Sequence, residues 1–212
     1  MTSQPTSRPA SSVHADDPMP PAFWALHAQY HRPYLEYATV QLGNEEAAHI
    51  LVDNTFVVLA VMWDHLMTEE NPAAYAWALL KTRVADELAL QGRAASAATE
   101  TLAFERAIKA ATSPILDDFR TQFRAEYDLA AFEGQVTELA DSMRLFAAIA
   151  RLPERQFDVI VLQYALDFDT ETIARVMGMQ KSTVRSTRRS ARRRLAADLG
   201  LPIGNLTDPD EE

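Results

Sequence analysis

From Pro21 to Gln91 apolar side chains recur at spacings of three and four, the period that lines one face of an α-helix. "FWALHAQYHRPYLEYATVQLG" predicts a helix bent or broken near Pro33, where a backbone donor is missing, and stopped at Gly43. "NEEAAHILVDNTFVVLAVMWDHLM" predicts a second helix, with Asn44 as N-cap and Glu45 and Glu46 in the first turn. A third, "NPAAYAWALLKTRVADELAL", has Asn71 as cap and Pro72 at its first position, and Gly92 closes the unit. From Arg93 to Asp141 the chain is Ala-rich and charged, interrupted at Thr112 to Pro114 and at Gly134. This stretch predicts a linker over 94–141 with a helix at 117–132. Apolar periodicity resumes from Ser142 to Leu201. No segment repeats, and none alternates apolar and polar residues long enough to suggest a sheet. The expected fold class is all-α: two small helical domains, 22–93 and 142–202, joined by a partly helical linker.

Composition sharpens the ends. Residues 1–21 hold five of the eleven prolines with many Ser and Thr, so they cannot bury enough apolar surface to offset chain entropy. That predicts a disordered segment. Residues 203–212 predict an acidic, unfolded tail. The longest apolar run, "FVVLAVMW", is far too short to span a membrane, and the N-terminus has no apolar stretch of the signal-peptide kind. The chain has no cysteine, which excludes disulfides and thiolate chemistry and fits a cytoplasmic location. An excess of Arg over Lys, with abundant Ala, hints at a GC-rich genome.

Charge changes the picture more. The net charge is −10, yet Lys181 to Leu195 contains seven Lys or Arg and no acid. On a helix advancing about 100° per residue, Val184, Ala191 and Leu195 form one narrow apolar stripe. Six of the seven cations share one face and only Arg194 points elsewhere. Segregated arginines on a helix anchored by a thin stripe suit a helix lying in a groove and touching phosphates. The residues before it, "TETIARVMGMQKSTVRS", predict a helix capped by Asp169, a tight turn at Gly178, then the basic helix. Ala174 allows close approach, Gly178 supplies positive φ, and Val184 anchors the second helix; Ile173, Met177 and Met179 supply the small core. Positive charge is concentrated where DNA would lie, while the rest of the surface repels it.

These residues carry a resemblance. "LPERQFDVIVLQYALDFDTETIARVMGMQKSTVRSTRRSARRRL", Leu152 to Leu195, resembles the C-terminal promoter-reading domain of extracytoplasmic-function (ECF) sigma factors. Residues 23–90, with "HRPYLEYATVQLG", "LVDNTF", "NPAAYAW" and "VADEL", resemble the N-terminal sigma domain. The resemblance implies a bacterial subunit that binds core RNA polymerase, opens a −10 element with its N-terminal domain and holds a −35 element with its C-terminal one. It places Gln180, Lys181, Ser182, Thr183, Arg185, Ser186 and Arg189 at or near the major groove, and Arg188, Arg192 and Arg193 on phosphates. It also places Lys81, Arg83 and Arg93 toward the −10 strand.

The chain departs from the family's pattern in four places, one being the helix toward the −10 strand, usually rich in Arg, which keeps little beyond Lys81, Arg83 and Arg93. Gln180 stands where Ser is usual, which costs an N-cap, and Arg188 stands where Leu is usual, which thins the anchoring stripe. In the polymerase-binding helix, "AHILVDNTFVVLA", the usual acidic pair is His49 and Ile50, the usual Gln-Glu pair is Asp53 and Asn54, and the usual Arg is Val58. His49, Asp53, Asn54, Val57 and Val58 would therefore form an altered polymerase or partner surface. The apolar run Val57 to Val61 covers every direction of a helix, and the 117–132 helix is its expected cover.

No catalytic, metal or cofactor site is expected. His27 and His31 have a metal-compatible spacing without a third ligand, and no glycine-rich phosphate loop occurs. The expected function is an ECF-type sigma factor that binds promoter DNA and core polymerase, with an anti-sigma protein as a further possible partner. The alternatives are a sigma-like DNA-binding regulator without polymerase delivery and a protein-interaction module without DNA binding. "DPDEE" at the end of the chain could also cover the basic face.

Overall fold

The computed structural model describes residues 19–91, 102–126 and 138–201. Arg93, most of the N-terminal segment and the acidic tail, with its expected self-inhibition, lie outside the described residues. Among the described residues the chain is all-α, without a strand.

α1 (Pro21–Leu42) runs through Pro33 as one helix, so the alternative of a break there does not hold. Tyr30, Tyr34 and Tyr37, buried on both sides of the proline, offset the missing hydrogen bond with apolar contact. Gly43 ends the helix in the left-handed conformation, φ 66°, with its N–H on Thr39 O at 2.8 Å. Asn44 caps α2 (Glu45–Val61) through Ala47 N. The expected single helix to Met67 is divided at Met62, whose φ of −102° and ψ of 23° let α3 (Trp63–Thr68) leave in a new direction. α4 (Pro72–Leu90) starts at the Asn71 cap, whose Oδ1 accepts from Ala74 N at 3.0 Å.

α5 (Leu102–Glu126) is longer than the expected 117–132 helix and begins well before it. Thr112 to Pro114 does not interrupt it: Ile108, Ala111, Ile115 and Phe119 form a buried stripe spanning the proline. Tertiary burial outweighs the local helix-breaking signal. α5 packs against α1 on one side, and on the other against α6 (Glu138–Ala150) and a π-helical segment. That segment, Val161–Ala165, continues α7 (Glu154–Ile160). α8 (Thr170–Val176) and α9 (Lys181–Asp198) complete the fold. Among the described residues α5 does not cover α2; residues 127–132 of the expected covering helix lie outside the described residues. Val57 and Val61 remain 60% and 86% exposed.

A helix-turn-helix head and its docking surface

α8 begins at Asp169, whose carboxylate accepts from Thr172 N at 2.7 Å and is held below the usual carboxylate range by that bond. The helix ends in a turn where Gly178 adopts φ 63° and Met179 N donates to Ala174 O at 2.7 Å. Ile173, Ala174, Val176, Met177 and Val184 close the small core between α8 and α9. Ala191, Leu195 and Ala196 seat the rest of α9 on α6 and α7. Gln180 precedes α9 without a side-chain cap bond, as its amide predicts.

The outward side of α9 presents Gln180, Lys181, Ser182, Arg185, Ser186 and Arg193 to solvent, with Thr183 and Arg189 half-buried. Lys181 Nζ lies 3.0 Å from Glu171 Oε2, and Ser186 Oγ donates to Thr183 O. Two of the expected phosphate-holding arginines point elsewhere. Arg188 and Arg192 are 1% and 2% exposed. Arg188 Nη1 donates to Gln163 Oε1 at 3.0 Å and Thr170 Oγ1 at 3.1 Å. Arg192 Nη2 lies 3.1 Å from Asp118 Oδ2, and its guanidinium sits 5.8 Å from the Phe119 ring centroid. Asp118 Oδ2 also accepts from Tyr164 Oη at 2.7 Å, so α5 is pinned to the head by a charged and hydroxyl-bearing pair. At position 192 the cationic face is turned inward because α5 supplies a carboxylate and an aromatic ring, and at position 188 because Gln163 and Thr170 supply acceptors. Sequence order hides this, since those partners lie far upstream.

The N-terminal helices carry the other candidate residues. Lys81 is half-buried and does not face open solvent: its Nζ donates to Asp158 Oδ2 at 2.6 Å and to Glu154. Arg83 is half-buried. On α2, His49, Asp53, Asn54 and Val57 are exposed and Val58 is half-buried, so this surface is accessible. Asp53 Oδ1 lies 3.0 Å from His31 Nε2. The His27 and His31 rings stack 4.7 Å apart, and burial together with His31 lowers the His27 pKa. Among the described residues no three His, Asp or Glu side chains converge as a metal would require.

Contacts that sequence reasoning missed join α1 and α4 to α7 and to the turn before α9. Asp158 is buried on α7 and accepts from Tyr37 Oη at 3.2 Å as well as from Lys81. Asn71 Nδ2 donates to Gly178 O at 2.7 Å. Between α4 and the head lies a cleft of about 900 Å³, lined among others by Tyr37, Trp77, Lys81, Arg155 and Met179. The acid inside the apolar run "FDVIVLQY" was the available signal. A buried carboxylate within such a run requires a partner from elsewhere.

The geometry defines a helix-turn-helix head carried on an all-helical body. Residues 142–195 match the family model described as Sigma-70, region 4. The match covers about a quarter of the chain, and it ties the chain to transcription. Among curated proteins no match was found. No helix among the described residues is long and apolar enough to cross a membrane.

Proposed function

We propose that the chain is an ECF-type sigma factor, a bacterial, cytoplasmic subunit that directs promoter-specific initiation and performs no catalysis of its own. The observation that supports this reading most is the α8–turn–α9 head. Its Gly178 turn presents Gln180, Lys181, Ser182, Arg185 and Ser186 outward from the start of a helix whose opposite side is core. In this reading those residues, with Thr183 and Arg189, lie at or near the major groove of a −35-like element, where Lys181, Arg185 and Arg189 also reach its phosphates, and Arg193 meets a phosphate. Arg188 and Arg192 hold the helix in place. The N-terminal helices α1–α4 form the sigma-type unit of 22–93, with Lys81, Arg83 and Arg93 toward the −10 strand. His49, Asp53, Asn54, Val57 and Val58 form the surface toward core polymerase or an anti-sigma protein.

A second reading is favoured by one observation. The accessible face of α2 carries three exposed apolar side chains among its polar ones, with Ile50 57%, Val57 60% and Val61 86% exposed. A sigma-like regulator that binds DNA through its head and another protein through α2 fits that surface. Run-off transcription separates the two readings. With core polymerase added, a sigma factor starts discrete transcripts from genomic promoter fragments. A regulator binds the same fragments and starts none.

A further inference from the structure

Lys181, the first residue of α9, is held by a carboxylate from α8: its Nζ lies 3.0 Å from Glu171 Oε2. The helix-turn-helix itself sets this pairing. The Asp169 cap places Glu171 in the first turn of α8, and the Gly178 turn leads the chain into α9 beside it. Both side chains stay on the surface, 53% and 67% exposed. Arg185 and Arg193, also on the outward side of α9, make no ion pair among the described residues. The first cation of the helix is therefore singled out by a neighbouring acid. An ion pair this exposed adds little to stability. Its consequence lies in what the two side chains can meet.

Duplex reading by a helix-turn-helix brings the first residues of the second helix to the base edges, while the first helix crosses the backbone. Glu171, bonded to the start of α9, then stands at the edge of the groove, among phosphates that repel a carboxylate. Lys181 offsets that charge with one of its three N–H groups and keeps the others for a phosphate oxygen. An ionised carboxylate only accepts, so it gains nothing from phosphates or from the acceptor edges of guanine and thymine. The donors it can meet in the major groove are the amino groups of adenine and cytosine. Beside adenine's amino group lies the N7 acceptor, which suits an amide and repels a carboxylate. Cytosine presents its N4 amino group without that neighbour.

We propose that Glu171 is a specificity-determining residue of the head: it accepts from the N4 amino group of one cytosine in the element that α9 reads, with Lys181 offsetting its charge. This rests on the DNA-binding reading of α9. The acid acts with two signs. Against a duplex that presents the cytosine it adds a hydrogen bond. Against every other register it stands near phosphate without a donor to meet, and it weakens binding. Both effects widen the gap between specific and non-specific affinity.

The test uses the full chain with Glu171→Ala, Glu171→Gln and Lys181→Ala, all at exposed positions, and checks folding by circular dichroism. Each protein selects duplexes from a randomised pool at low salt, and fluorescence anisotropy gives its affinity for the selected and for a random-sequence duplex. Wild type should enrich a site with cytosine at one fixed position. Glu171→Ala should lose the preference at that position alone and keep it elsewhere. It should also bind the random duplex several-fold more tightly, so that the ratio of specific to random affinity falls about tenfold. Glu171→Gln, whose amide also donates, should shift the preference at that position toward adenine. Lys181→Ala leaves the acid uncompensated and should weaken binding to both duplexes. Folded Glu171→Ala protein that selects the same bases as wild type at every position overturns the proposal and leaves the DNA-binding reading standing. Folded wild type and variants that all fail to bind any duplex overturn the DNA-binding reading, and the proposal with it.

Discussion

Asp158 carries the sharpest conflict at the scale of single residues. Burial pushes its carboxyl above the ordinary carboxylate range, Lys81 pulls it back, and the nearby Glu154 adds to the upward push. A carboxyl raised in this way binds its proton more tightly in the folded protein than in the unfolded chain. Its contribution to stability is therefore fully present below the ordinary aspartate value of about 3.9 and is lost as pH rises through the raised value. Asp158→Asn, neutral at every pH, has no such dependence. Urea unfolding at a series of pH values should show wild type losing stability relative to Asp158→Asn as pH climbs from about 4 toward neutrality. A difference that stays flat would mean that the carboxyl titrates normally. The Gln163 and Thr170 side chains treat Arg188 similarly. Both accept from its Nη1, where an apolar side chain would need no partner.

At the scale of elements α5 is the surprise. Read alone, its Thr-Ser-Pro interruption and charged, Ala-rich composition suggest a linker. In the fold its buried stripe joins α1 to the head, and Asp118 and Phe119 hold Arg192 of the basic helix. Asp118→Asn should leave α8 and α9 folded and loosen α5, at a cost of about 2 kcal/mol, because Arg192 and Tyr164 lose an ionised acceptor in a partly buried place. Hydrogen exchange is the appropriate measurement. Faster exchange over 107–121 with unchanged protection in 181–198 is expected, and uniform change throughout would mean that α5 is not separately held. The helix-turn-helix, by contrast, was legible almost residue by residue. Its cap, its turn glycine and its apolar anchors interact within one short stretch, and local sequence carries local geometry.

The whole molecule balances an acidic surface against one cationic helix. With a net charge of −10, binding to nucleic acid must be local and sensitive to salt. Lys181, Arg185, Arg189 and Arg193 are the outward-side cations of α9 that are not fully buried. About four phosphate contacts correspond to a log–log slope of affinity against salt of roughly −3.6. Arg185→Ala combined with Arg193→Ala removes two exposed cations and should flatten that slope by roughly 1.8. Fluorescence anisotropy at several salt concentrations measures both values, and an unchanged slope would remove α9 from the DNA interface.

The sequence by itself determined the helices' caps, the turn at Gly178, the all-α class and the concentration of positive charge, since each depends on neighbours a few positions apart. It also showed that Asn71 begins a helix, but not that its other amide atom bonds a carbonyl in the turn. Only the tertiary structure decided which arginines face outward, that α5 begins before Pro114 and runs through it, and that α4 lies against the head. A long cationic side chain can turn toward water or toward a carboxylate, and which it does depends on groups the chain brings close only when it folds.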